Sequence, residues 1–302
     1  MKAVLLDPGN PSTCHPLTST RRLFDCLVGN RPLGERIIEN LERCGFELAA
    51  AGETDRTTAW IAGDGWVSLT TLLELREAKE PAVVLDGEGR AIAWVGAGAE
   101  PVVGAVRIGD GVEDFGVRYP WDLLRLNELL LDQIDEDAIE GEVAADVRWE
   151  GRLVLGSGSR LLPGVFIEGT VVIGRNCKVG PNCYLRGRTS IGDGCRVGQA
   201  VEIKNSILFP GATIGHLSYC GDSIVGSKVN FGAGTIVANL RHDGRNHRSM
   251  VGGALVDTGR RKFGTAVGDG VHTGIHTTIY PGRKLGAHSS TRPGEIVDSD
   301  RE

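Results

Sequence analysis

From Trp149 onward, aliphatic or aromatic residues recur at every sixth position: Trp149, Leu155, Leu161, Ile167, Ile173, Val179, Leu185, Ile191, Val197 and Ile203. Glycine often follows, as at Gly156, Gly174, Gly180, Gly192 and Gly198, and the position four residues on is small or aliphatic (Val165, Val171, Cys177, Cys183, Thr189, Cys195, Val201). This period predicts a parallel β-helix, in which each hexad gives one short strand and a turn and three hexads close a triangular coil of roughly 18 residues. The aliphatic residue points inward, and glycine lets the backbone turn at the corner. The series slips after Ile203. Ile214 opens a new register, and Val225, Phe231 and Val237 follow a second slip. Residues 240–263 break the pattern and predict a loop thrown out of the coils, after which Val267, Thr273, Ile279, Leu285, Thr291 and Val297 restore it.

The first 118 residues show a different alternation. Lys2–Leu6, Thr58–Ala62, Ala82–Leu85 and Ala91–Val95 read as strands. Apolar residues at Leu33, Ile37, Ile38 and Leu41 share one helical face, and Gly45 is a natural helix stop. Ser68 is placed to cap a second helix running to Glu80. Tyr119–Ile134, with Pro120 in its first turn, reads as a helix joining the two parts. The organisation expected is therefore 1–118 as an α/β domain, 119–144 as a linker helix and 145–302 as the β-helix.

Composition narrows the class. The net charge is −6 over 302 residues, which argues against a nucleic-acid binder driven by overall positive charge. No apolar run is long enough to span a bilayer. The seven cysteines are odd in number and form no CxxC pair, and with no signal peptide at the N-terminus they predict a reducing cytoplasm. Cys177, Cys183 and Cys195 fall on inward positions, where they act as small hydrophobes rather than metal ligands. The histidines have no tight metal spacing, so no metal is expected.

Chemistry is sought where side chains break the repeat. Arg186 and Lys204 are eighteen residues apart, one full coil, so they should stack; two such cations repel unless an anion bridges them, and two solvated surface cations are the plain alternative. His216, beside the corner Gly215, is a candidate general base, with Tyr219 three residues on. Asn230 and Asn239 are candidates for holding a substrate oxygen, or corner residues tolerant of left-handed backbone. The ejected segment carries Arg241, His242, Arg245, His247, Arg248, Arg260, Arg261 and Lys262 against Asp243 and Asp257, a basic patch suited to phosphate.

The stretch VEIKNSILFPGATIGHLSYCGDSIVGSKVNFGAGTIVANLRHDG (201–244) resembles the acetyltransferase domain of the bifunctional sugar-1-phosphate nucleotidylyltransferase/glucosamine-1-phosphate acetyltransferases, and NLRHDG with the later GRRKFG is most similar to archaeal members. The resemblance covers roughly 150–297. It implies a left-handed parallel β-helix, a homotrimer with active sites between subunits, acetyl-CoA as donor and an amino-sugar phosphate as acceptor. It implies His216 as catalytic base, Glu202 as the carboxylate supporting it, Arg186 and Lys204 as sugar-phosphate cations, and Tyr219, Asn230 and Asn239 as sugar contacts. Asn239 is also a candidate to stabilise the oxyanion, and Arg245, His247 and Arg248 stand in the loop where relatives carry lysine, with Arg245 and Arg248 as candidate phosphate contacts.

HPLTSTRRLFDCLVGNRPLGERIIENLERCG resembles the opening of a nucleotidyltransferase domain. Pro16, Leu17 and Thr18 remain, but the glycine-rich phosphate loop is absent and the run is LLDPGNPSTCHPLT instead. The domain is also shortened. Residual nucleotidylyl transfer and a non-catalytic trimeric scaffold are the competing readings.

Overall fold

The computed structural model describes residues 1–79, 81–109 and 112–301. The chain divides into two compact units: Met1–Pro11, Arg22–Cys26 and Arg31–Arg118 form the first, and Ser12–Arg21, Leu27–Asn30 and Tyr119–Glu302 the second.

The first unit is α/β. Its six-stranded sheet runs in the order 47–48, 2–6, 59–62, 91–95, 82–85, 106–108. Strand 2–6 is parallel to 59–62, while 91–95 is antiparallel to both its neighbours. Helix α1 (Leu33–Arg43) buries Leu33, Ile37 and Leu41, and Gly45 ends it at φ +76. Helix α2 (Leu69–Glu77) starts where the Ser68 hydroxyl accepts the Thr71 N–H at 3.2 Å. It stops short of the expected end, since Ala78 is already extended and Pro81 cannot continue a helix; Glu80 lies outside the described residues. The strands at 47–48, 65–66, 106–108 and 115–116 are two or three residues long and carry no readable alternation.

The second unit is a three-faced parallel β-solenoid. One face stacks 142–143, 160–161, 178–179, 196–199, 213–216 and 230–231. A second stacks 148–151, 166–169, 184–187, 202–204, 219–221, 236–237, 278–279 and 296–297. The third runs through 190–191, 207–208, 224–225, 266–267 and 284–285. The apolar inward positions read from the sequence form its core, from Leu155 through Ile203 to Val297, each 2 % exposed or less, with Cys177, Cys183 and Cys195 among them, whereas Thr273 is 6 % exposed and Thr291 is only partly buried. Trp149, at the start of the series, is only partly buried against that core. Each fully buried aliphatic side chain contributes about 1.5–3 kcal/mol.

The slip has a simple form. In the early coils the second and third faces are one continuous strand, as in Tyr184–Ile191. In the next coil Ile191 pairs with Leu208 and Ile203 with Cys220, so coils shorten from eighteen to seventeen residues. The missing residue is at the corner between these faces. There Asn205 (φ +47) and Asp222 (φ +50) adopt left-handed backbone and break the strand in two. Short polar side chains reach that conformation at least cost.

Residues 240–263 are not an irregular loop. They contain an antiparallel hairpin, Arg248–Val251 with Ala254–Asp257, closed by Gly252 and Gly253, both at positive φ. A two-residue turn with positive φ at both positions matches the twist of the paired strands. The hairpin lies along the solenoid: Ser249 Oγ donates to the Gly282 carbonyl at 3.0 Å and Lys284 Nζ to the Met250 carbonyl at 2.7 Å. Gly282 (φ +77) permits this approach, because a Cβ there would meet the Arg248 carbonyl oxygen at 2.9 Å.

Helix α3 (Pro120–Asp132) is part of the second unit and packs on the solenoid. Asn127 is fully buried; its carbonyl accepts the Gly29 N–H at 2.9 Å and the Ser190 hydroxyl at 2.6 Å, and its amide donates to the Arg188 carbonyl at 2.9 Å. No helix among the described residues is long and apolar enough to cross a membrane.

Candidate functional site

Because Leu185, Ile203 and Cys220 point inward, their neighbours point out. Tyr184, Glu202 and Tyr219 are therefore in register on the outer surface of the second face, and Arg186 sits beside Lys204. The stacking of the two cations is thus present, but an external anion is not needed to hold them. Arg186 Nε donates to Glu202 Oε1 at 2.7 Å, and Lys204 Nζ donates to Asp222 Oδ2 at 2.7 Å. Each cation is compensated by a carboxylate from the following coil.

Asp222 organises the cluster. Its side chain is 3 % exposed, and besides Lys204 it accepts from Asn205 Nδ2 at 3.0 Å and Asn239 Nδ2 at 2.5 Å. Asn239 Nδ2 also donates to the Tyr219 hydroxyl at 2.9 Å. An amide NH2 has two donors, and both of Asn239's are engaged, so this side chain scaffolds the site and has no proton left for an oxyanion. Burial first, and then the Asp222 charge, push the Tyr219 phenol up to about 12. Tyr219 therefore stays protonated near neutrality and keeps its own O–H to donate. Asn205 extends the network to Glu128 of α3 at 2.7 Å, and Arg260 also pairs with Glu128.

His216 ends the strand 213–216, and Leu217 (φ +50) turns the chain around the corner to Tyr219. His216 is exposed and in register with Gln199. Its imidazole makes no hydrogen bond among the described residues, and its carbonyl accepts from Ser218 Oγ at 2.7 Å. Glu202, expected to support it, has its hydrogen bond with Arg186 instead. Asn230 pairs with Thr213, at the other end of the His216 strand, and is not brought to Tyr219 and Asn239. Neither Asn230 nor Asn239 has the left-handed backbone anticipated for corner asparagines; Asn176, Asn182 and Asn205 do.

Arg245 and Arg248 line a groove of about 480 Å3 with Arg241, Asn246, Leu255, Asp257 and Arg283. Behind it His247 is 2 % exposed, with Nε2 3.0 Å from the Asn239 carbonyl oxygen, and burial holds its pKa below the usual histidine value. Among the described residues no group of His, Cys, Asp and Glu is placed to bind a metal.

Asp222, Asn205, Glu128 and Arg283 join the site without standing out in the sequence as candidates. The signal for the first two was the slip itself, since a residue lost at a β-helix corner leaves a tight turn that Asn or Asp fills. Glu128 had none, because its role depends on where α3 packs.

Residues 151–286 match the family model described as the GMPPB C-terminal domain. The bifunctional sugar-1-phosphate nucleotidylyltransferase/acetyltransferase of Sulfurisphaera tokodaii is 40% identical over 181 residues, covering 60% of this chain and 45% of that protein. The bifunctional GlmU proteins of Methanocaldococcus jannaschii and Methanococcus maripaludis strain C7 are 37% and 46% identical over 186 residues, each covering 62% of this chain and 45% of theirs. The chain thus spans about half the length of the curated relatives it matches. In its C-terminal region, a parallel β-solenoid built on hexapeptide repeats, the chain is similar to the bifunctional sugar-1-phosphate nucleotidylyltransferase/acetyltransferases.

Proposed function

We propose that the second unit is an acetyl-CoA-dependent N-acetyltransferase whose acceptor is an amino-sugar phosphate such as glucosamine-1-phosphate. The observation that carries this reading is the exposed His216 at the solenoid corner, three residues from a Tyr219 fixed by the Asn239–Asp222–Lys204 network. The names of the relatives support acyl transfer on a sugar-related substrate.

In this reaction the neutral amine of the acceptor attacks the thioester carbonyl of acetyl-CoA. The N–C bond forms, the C–S bond breaks, and His216 takes the proton released by the amine and returns one to the departing thiolate. Tyr219, kept protonated, donates its O–H to a substrate oxygen. The oxyanion is left to a backbone N–H, since Asn239 is fully used. The resemblance implies a homotrimer with each site between subunits, and Leu217, 63 % exposed beside His216, suits a surface that a second copy covers.

The test is thiol release from acetyl-CoA with amino-sugar phosphates, glucosamine-1-phosphate first. His216→Ala is expected to lower kcat by about 100-fold or more, the usual range for losing a general base. No acceptor-dependent thiol release from the intact protein, with any amino-sugar phosphate, sinks the reading.

A further inference from the structure

The network behind Tyr219 does not end in the solenoid coils. Lys204 and, through Asn239, Tyr219 are held by one oxygen of Asp222, Oδ2. The other oxygen, Oδ1, accepts from Asn205 Nδ2 at 3.0 Å. The terminal torsions of Asp and Asn are broad and roughly twofold, so these groups are aimed by their partners rather than by their rotamers. Whatever aims Asn205 is therefore part of the site. Its Nδ2 carries two protons. One goes to Asp222 and the other to Glu128 Oε1 at 2.7 Å, and among the described residues this nitrogen has no third acceptor.

Glu128 is not a loose surface side chain. It belongs to α3, where Asn127 and Asp132 fasten the helix to the same corner through Ser190 and Arg188. Asp132 is four residues further on, so it shares the helix face of Glu128. Arg260, whose side chain is 17 % exposed, engages both oxygens of Glu128, Nη1 reaching Oε2 at 3.2 Å and Nη2 reaching Oε1. A carboxylate fixed by a two-pronged guanidinium and by its own helix offers Asn205 an acceptor in one place only. Glu128 also lies upstream of Trp149, where the hexapeptide series begins, so this support comes from a part of the chain that the repeats do not supply.

We infer that Glu128 is a positioning residue for the acceptor end of the site: through Asn205 it sets the Asp222 carboxylate, and through Asp222 it sets Lys204 and Tyr219. The inference rests on the proposed acyl transfer in taking Lys204 and Tyr219 as side chains that hold the amino-sugar phosphate. It makes α3 a working part of the transferase unit rather than a plain connector.

Glu128→Gln and Glu128→Met, made in the full-length protein, separate positioning from mere support. Both remove the charge that Arg260 pairs with, so both are expected to lower the urea midpoint. Only Glu128→Gln keeps an acceptor oxygen for Asn205. In thiol-release assays with glucosamine-1-phosphate, Glu128→Met is expected to raise the KM for that acceptor by about fivefold to tenfold, the range for a net loss of one hydrogen bond. Its kcat and its KM for acetyl-CoA should stay within about twofold, because the interaction serves acceptor binding rather than the chemical step. Glu128→Gln is expected to raise the acceptor KM by no more than about threefold. A second readout needs no turnover. The chain has four tyrosines, so fluorine NMR of fluorotyrosine-labelled protein, with the Tyr219 line assigned by Tyr219→Phe, reports on the site directly. Glu128→Met should shift the Tyr219 line, Glu128→Gln should shift it less, and the Tyr280 line should stay in place in both. A protein without acetyl transfer sinks the proposed function and leaves these spectra to decide the inference alone. The inference is overturned if Glu128→Met leaves the Tyr219 line unmoved, if the two variants move the line or the acceptor KM alike, or if the line moves in an active enzyme whose acceptor KM does not. Glu128→Ala, which also lacks the acceptor oxygen, takes the place of Glu128→Met should the longer side chain prevent folding.

Discussion

Asp222 shows how one residue sets the character of a site. It sits where a coil has lost a residue, in left-handed backbone, and its carboxylate is shared among Lys204, Asn205 and Asn239. Removing it would leave the Lys204 ammonium, whose side chain is 14 % exposed, without its counter-charge. Breaking a buried pair from one side costs about 3–5 kcal/mol. Asp222→Ala is therefore expected to lower the urea midpoint sharply, whereas Asp222→Asn, which keeps the shape and one acceptor oxygen, should lower it less. Unchanged midpoints in both would show that the cluster is not the structural support described above. Tyr219 offers a second readout in the same variants. Its phenol is held up partly by the Asp222 charge, so its ultraviolet titration should move down from about 12 when that charge is removed.

Among the elements, the hairpin was the least legible in the sequence. The hexapeptide series exposed the solenoid because one residue type must repeat at each inward position, and the core residues follow directly from that constraint. The hairpin obeys a different period, and RSMVGGALVD does alternate around a Gly-Gly turn, but four-residue strands amid basic residues read first as an interruption. Arg186 and Lys204 were placed correctly in register, since the coil length fixes which residues stack; their carboxylate partners were not, because partner choice depends on side-chain reach across coils. The hairpin also carries a pH dependence. His247 is buried and favours its neutral form, so its folded pKa lies below the ordinary value near 6.5. The stability this contributes is complete above about pH 6.5 and is lost as pH falls through the lower folded value. Urea midpoints measured between pH 7.5 and 5 should fall more steeply for the parent protein than for His247→Gln, the difference isolating this group from titrating carboxylates. Parallel curves would remove His247 from the account.

At the scale of the whole chain, the sequence suggested a boundary near residue 118, and the structure adds that two early segments belong with the solenoid. Ser12–Arg21 and Leu27–Asn30 fall in the second unit. Periodicity cannot reveal this, because those residues contribute no repeat and are identified only by what they touch. Cys14, Leu17 and Thr18 are buried, Arg21 pairs with Asp269 and lies over the Phe209 ring with its guanidinium carbon 4.6 Å from the centroid, and Thr20 donates to the same Asp269 at 2.6 Å. Asn127 on α3 depends on the Gly29 N–H for part of its satisfaction. The segment that resembles the start of a nucleotide-binding domain is thus committed, in its Leu17, Thr18 and Arg21, to covering the solenoid. A fragment beginning at Tyr119 would keep every coil but uncover Phe209, deprive Asp269 of Arg21 and Thr20, and leave Asn127 short of a donor. Losing a partly buried ion pair and the guanidinium that lies over Phe209 should cost several kcal/mol in sum. The fragment is expected to melt several degrees below the solenoid transition of the full chain, and Arg21→Ala in the full chain should reproduce part of that drop. Scanning calorimetry of the three proteins decides it, and a fragment melting with the parent's solenoid transition would mean that the early segments only rest on the surface they cover.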